Sequence, residues 1–180
     1  DTLSLHDALP IFDLAGLRGQ VFFSRDRVDF GNMNAMYNAA DITLNRSCNE
    51  GFGLPVLEGL MAGRPTVTIK TGGLTRQAVN HMTGEQHGIA LDPEVSPLVG
   101  NQLVPYIRED YVSDATYADA IWRMHEMPAP ERVALGLRAR EYAAREFSID
   151  DMVRSWDESL TDVADRWKHA PTPRWRQVTL

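Results

Sequence analysis

The spacing of apolar residues changes along the chain, and each change marks an element. Gln20-Val21-Phe22-Phe23 is a short β-prone run. Met33, Met36, Tyr37 and Ala40 recur at helical spacing, with Asn32 or Asn34 as the cap of that helix. Ile42-Thr43-Leu44 reads as a second strand, compact enough to be buried. Gly53-Leu54-Pro55 opens another helix, with Pro at an early position where its missing N–H costs nothing. That helix carries Leu54, Leu57, Leu60 and Met61 and stops at Gly63-Arg64-Pro65. Thr66-Val67-Thr68-Ile69 is a third strand, Gly72-Gly73 a turn, and residues 74–80 a short helix. Gly88-Ile89-Ala90-Leu91 is a short strand ended by Asp92-Pro93.

From Pro93 to Ser113 the pattern is irregular, because Pro93, Pro97 and Pro105 break any long element. Ser113 or Asp114 caps a helix running to about Met127, and a second helix runs from near Pro130 to about Phe147. Asp150 or Ser148 caps a third, with Met152, Val153, Trp156, Leu160, Val163 and Trp167 on one face. Strands alternating with helices imply an α/β domain, a Rossmann-like parallel sheet with helices on both faces. Ligands in such sheets bind at the carboxyl ends of the strands, here residues 45–54 and 70–74.

The ends read differently. Thr2 to Ile11 matches the translation of a common sequencing-library adapter, so residues 1–11 are expected to be non-native and the protein truncated upstream. Pro171-Thr172-Pro173-Arg174-Trp175-Arg176 opens a Pro- and Arg-rich tail, 171–180.

The chain has 180 residues, 43% hydrophobic and 24% charged, which suits one folded domain rather than a disordered segment. A net charge of −7 argues against nucleic acid or anionic lipid as a partner, and no run is apolar enough for a membrane span. The single Cys48 excludes an internal disulfide and fits a reducing, cytoplasmic compartment.

The candidate chemistry lies in Asn49-Glu50-Gly51-Phe52-Gly53-Leu54-Pro55-Val56-Leu57-Glu58. Gly51 and Gly53 let the backbone approach a ligand, and the amides around Gly53 and Leu54 point out of a helix N-terminus, where an anion such as a diphosphate can rest. Glu58, one turn into the helix, is placed to accept two hydrogen bonds from a ribose diol, and Glu50 faces the group that the diphosphate carries. By themselves these signals are weak: a lone helical Glu is usually solvated, and a Gly-x-Gly turn precedes helices in many α/β folds.

Glu50-Gly-Phe-Gly-Leu-Pro-Val-Leu-Glu58, with Gly63-Arg64-Pro65 and Gly72-Gly73 after it, resembles the E-x7-E signature of family-4 retaining glycosyltransferases of GT-B fold. Tyr37-Asn38-Ala39-Ala40-Asp41 and Leu44 match the helix end and strand that precede it, and the likeness runs from Leu14 to Val163. It implies that residues 12–170 are a truncated C-terminal, donor-binding half. Glu50 would then be catalytic, on the donor sugar, and Glu58 would hold the ribose. Gly51, Phe52, Gly53 and Leu54 would bind sugar and distal phosphate through their amides. It further implies a nucleotide-sugar donor, a glycan or lipid acceptor, no cofactor and no metal requirement, and a missing N-terminal domain onto which the last helix crosses. Alone, the fragment is expected to be inactive. The sequence departs from the pattern at Arg46, where Pro is frequent, and at Thr75-Arg76, where Pro-Glu is usual. The family's diphosphate-neutralising Arg and Lys have no counterpart, which leaves Arg46, Arg76 and Lys70 as phosphate candidates against simple solvation.

Other chemistries are disfavoured. Gly51-x-Gly53-x-x-Val56 lacks the third Gly of a dinucleotide fingerprint, and no Asp-x-Asp pair offers a metal–diphosphate clamp. His81, His87, His125 and His169 show no metal-ligand spacing and read as surface or satisfied loop residues. Cys48 reads as a small buried residue beneath the loop, and Trp122, Met124 and Tyr142 as core. Two alternatives stay open: a non-catalytic nucleotide-binding module, and a GT-B-fold nucleotide-sugar epimerase.

Overall fold

A computed structural model describes residues 15–17, 19–21, 27–100 and 102–169. The expected adapter segment, Phe22 and Phe23 of the first β-prone run, and the 171–180 tail lie outside the described residues. The chain divides into two compact units, Asp1–Met33 and Asn34–Leu180. The described part of the first holds two turns around Gly16 and Gly19, both at positive φ.

In chain order the elements are α1 (Phe30–Ala39), β1 (Thr43–Asn45), α2 (Leu54–Met61), β2 (Thr66–Ile69), α3 (Leu74–Ala78) and β3 (Gly88–Leu91). They continue with β4 (Leu98–Val99), β5 (Ile107–Arg108), α4 (Asp114–Glu126), α5 (Ala129–Glu146) and α6 (Ile149–His169). Strands β1, β2 and β3 form a parallel sheet in that order, with Thr43 opposite Thr66 and Val67 opposite Ile89.

Alternation along β2 decides which helix covers which face. Val67 and Ile69 point to one side and pack with Tyr117, Ala120 and Met124 of α4 and Leu91 of β3. The Tyr117 hydroxyl donates to the Val67 carbonyl at 3.1 Å. Thr66 and its neighbour Thr43 point to the other side, where α2 lies so close that a Cβ on Gly59 would stand 2.1 Å from Thr43 Oγ1. There Val56 and Leu60 of α2, Leu74 of α3, and Ala139 and Ala143 of α5 form a second cluster. The sheet is therefore covered on both faces, as expected for a parallel sheet.

Several local expectations need correction. Asn32 and Asn34 are not caps; α1 starts earlier, with the Asn32 N–H bonded to the Asp29 carbonyl at 2.8 Å. β1 is shifted by one residue and is an outer strand among the described residues, so Leu44 is half exposed. The buried face of α2 is Val56, Gly59 and Leu60, while Leu54 points to solvent. The segment 93–113 is not wholly irregular: β4 and β5 pair as a short antiparallel hairpin. Trp122 is exposed, whereas Met124 and Tyr142 are buried as expected. Cys48 is half-buried, and the apolar stripe of α6 is solvent-exposed along its length.

His87 departs furthest from its expected role. It is buried, its ring stacks on Tyr142 with centroids 4.2 Å apart, and neither ring nitrogen has a hydrogen-bond partner among the described residues. Burial, partly opposed by the charge of Glu85 and reinforced by Arg138, pushes its pKa below the ordinary value. The unfolded chain takes up that proton near pH ~6.5, while the folded state keeps the imidazole neutral to lower pH. Stability is thus full above the unfolded pKa and falls as pH drops through it toward the folded pKa. Thermal midpoints measured from about pH 7.5 down to 5 should fall more steeply for the wild type than for His87→Phe. Parallel curves would exclude His87 as the source.

Candidate functional site

Residues 46–53 connect β1 to α2, and residues 70–73 connect β2 to α3, so both loops leave the carboxyl ends of neighbouring parallel strands. They touch backbone to backbone. The Gly73 N–H donates to the Glu50 carbonyl at 3.2 Å. A Cβ on Gly73 would stand 2.6 Å from the Phe52 carbonyl oxygen, and one on Gly72, at φ 47°, only 1.8 Å from that of Glu50. No other residue type permits that approach. Side chains complete the tether: Thr71 Oγ1 donates to the Cys48 carbonyl at 3.2 Å, and Gln77 Nε2 donates to that of Phe52.

Gly53 then turns the chain into α2. Its φ of 91° is left-handed, and a Cβ there would overlap Leu74 Cδ2 at 2.3 Å. The helix starts without a side-chain cap and with Pro in its first turn. The Gly53 carbonyl accepts from Val56 and Leu57. Among the described residues, the N–H groups of Gly51, Phe52, Gly53 and Leu54 have no backbone acceptor. Together with the helix dipole, these amides form a place for a negatively charged group.

The two carboxylates stand beside this helix end, and each is half-buried. Ser47 Oγ donates to Glu50 Oε2 at 3.4 Å. The Tyr37 hydroxyl donates to Glu58 Oε2 at 2.8 Å. Burial, then the hydrogen bond to Glu58 and its charge, push the Tyr37 pKa up to about 12. Tyr37 therefore stays a donor throughout the physiological range, and it fixes one oxygen of Glu58 while leaving the other for a ligand. Phe52 and Leu54 present their side chains outward, Phe52 in an edge contact with Phe147 at 5.9 Å.

The three cations suggested for a phosphate are engaged elsewhere. Arg46 pairs with Asp114 and donates to the Val112 carbonyl, Arg76 pairs with Glu146, and Lys70 with Asp92 at 2.9 Å. Among the described residues no group of three His, Cys, Asp or Glu is placed to hold a metal ion. Ser47, Thr71 and Gln77 are not among the site residues expected from the sequence, and Tyr37 is expected there only as part of a helix. The available signal was their polarity: Gln77 and Thr71 are polar residues that fold into buried positions.

Comparison with known proteins places this loop in context. Residues 12–97 match the family model described as glycosyl transferases group 1. The chain is 37% identical over 136 residues to a D-inositol 3-phosphate glycosyltransferase of Saccharomonospora viridis, covering 75% of this chain and 24% of that protein. It is 31% identical to a trehalose synthase of Pyrococcus horikoshii, over 44% of this chain and 22% of that protein. The chain thus spans under a quarter of the length of these curated relatives. The crystal structure of Anabaena Alr3699/HepE in complex with UDP-glucose superposes with a TM-score of 0.64 at 19% identity, covering 88% of this chain and 36% of that one. That likeness establishes the shared α/β fold.

Proposed function

We propose that this chain is the donor-binding part of a GT-B glycosyltransferase of family-4 type, which moves a glycosyl group from a nucleoside diphosphate to a glycan or lipid acceptor with retention of configuration. The observation that carries this reading is one arrangement: a helix N-terminus with unused amides, flanked by Glu50 and Glu58, each oriented by a hydroxyl. The match to glycosyl transferases group 1 covers this segment.

In this reading the distal phosphate and sugar lie against the amides of Gly51 to Leu54. Glu58 accepts from the ribose hydroxyls, and Glu50 accepts from hydroxyls of the donor sugar. The bond from the anomeric carbon to the phosphate oxygen breaks while the acceptor oxygen bonds to the same face. The departing phosphate takes the acceptor proton. Amides aimed at the diphosphate stabilise the negative charge that grows on it. No metal enters this scheme. A separate N-terminal domain supplies the acceptor side in this scheme, the exposed apolar stripe of α6 being available to dock it, and the whole operates in the cytoplasm.

Ligand-observed NMR on the 180-residue chain, titrating UDP, GDP and ADP, tests the pocket. One nucleotide should bind saturably, and Glu58→Ala should weaken it about tenfold or more, the loss of a charge-assisted contact. Equal binding by the variant would remove Glu58 from the ribose, and binding of none by a folded sample would remove the pocket.

A further inference from the structure

A cavity of about 180 Å³ opens at the amino ends of β1 and β2, the opposite end of the sheet from the Glu50 loop. Its ionised lining is three arginines, Arg64, Arg132 and Arg140, against one carboxylate, Asp41. The arginines converge for a reason visible in the backbone. Arg132, Gly136 and Arg140 are spaced four apart on α5 and so share one face of that helix. Gly136 lies against the turn that carries Arg64, where a Cβ would stand 2.0 Å from the Gly63 carbonyl oxygen. This close approach sets Arg132 and Arg140 on either side of the Gly63–Arg64 turn.

The internal partners do not use up these donors. Arg64 donates through Nη2 to the carbonyl and the side-chain oxygen of Asn38, both at 3.1 Å, and its Nε is buried with no acceptor among the described residues. Arg132 Nη1 donates to the Met127 carbonyl at 3.1 Å, and its Nη2 is 3.7 Å from Asp41. Arg140 has neither an ion pair nor a hydrogen bond among the described residues. Three guanidinium groups around one cavity thus face a single carboxylate, with donor capacity left over. A tetrahedral oxyanion suits such a lining, since its oxygens accept from several guanidinium groups at once.

We propose that this cavity binds a phosphate group through Arg64, Arg132 and Arg140, independently of the nucleotide loop. The group is either free phosphate or the phosphate of a monoester, and the same contacts serve both.

The test follows the arginine Nε–H resonances of the ¹⁵N-labelled 180-residue chain in phosphate-free buffer. Inorganic phosphate and glycerol phosphate are titrated separately, with chloride matched for ionic strength. At least one should move the Arg64 Nε–H signal saturably while chloride does not, and the tighter of the two identifies the source. Arg140→Ala removes an exposed side chain with no hydrogen bond or ion pair among the described residues, so the fold should be retained, and it should weaken binding about fivefold or more. Saturating UDP should leave the phosphate titration unchanged. Absence of a saturable shift, an equal shift with chloride, indifference to Arg140→Ala, or displacement by UDP would each overturn the proposal.

Discussion

Glu50→Ala, in an enzyme that retains this domain together with its acceptor-binding half, is expected to lower glycosyl transfer by about two to three orders of magnitude, the scale seen when one positioned polar group is taken from a reacting centre. Glu50 sits in the loop before the helix end, with one oxygen already engaged by Ser47 Oγ, while Glu58 sits inside α2 with one oxygen engaged by Tyr37. If the diphosphate lies on the helix end between them, Glu50 reaches the sugar and Glu58 the ribose. Loss of Glu50 should then appear mainly in kcat, and loss of Glu58 mainly in donor affinity. Single-turnover transfer with saturating donor separates the two. A Glu50→Ala enzyme with near-normal turnover would refute the assignment.

Gly72→Ala is expected to destabilise the chain by about 2–4 kcal/mol and to abolish nucleotide binding. Two causes add. Gly72 has a φ of 47°, a left-handed conformation that costs an L-residue about 1–2 kcal/mol. Its new methyl group would also stand 1.8 Å from the Glu50 carbonyl oxygen, a backbone atom with no rotamer to escape into. The loops must separate, and the Gly73–Glu50 hydrogen bond breaks with them. Gly51→Ala is the matched control for stability alone, because a Cβ at Gly51 meets no protein atom within 4 Å. Denaturant unfolding should separate the two variants clearly, and UDP titration of Gly72→Ala beside the wild type reads the loss of binding. Equal stability would mean the loops are not in contact in solution.

Local signals made much of this architecture legible. Thr66–Ile69 and Gly88–Leu91 read as strands because short apolar or β-branched runs are bounded by Gly and Pro, and both have the expected limits. Ser113 reads as a helix cap, and its side chain does accept from the Thr116 N–H. What remained hidden depends on pairing across distance. The two-residue strands of the β4–β5 hairpin carry no periodicity to detect. The exposure of Trp122 follows from which face of α4 meets the sheet, not from its own hydrophobicity. The bond from Tyr37 to Glu58 joins residues 21 apart on different helices. Gln77, a polar residue inside a five-residue helix, gave no hint that its amide would hold the Phe52 carbonyl.

The Cys48 carbonyl accepts from the Thr71 hydroxyl, 23 residues on, and from the Asp110 N–H beyond the hairpin. Asn49 beside it reaches the Arg108 carbonyl at 3.0 Å. The first of these bonds needs β1 and β2 paired, and the other two need the 93–113 segment to have returned to the loop after β1, so each closes a loop at an entropic cost. The segment with the chemistry thus takes its shape from parts of the chain distant in sequence, so a substitution at Thr71 or in the 93–113 segment can reach it without touching it.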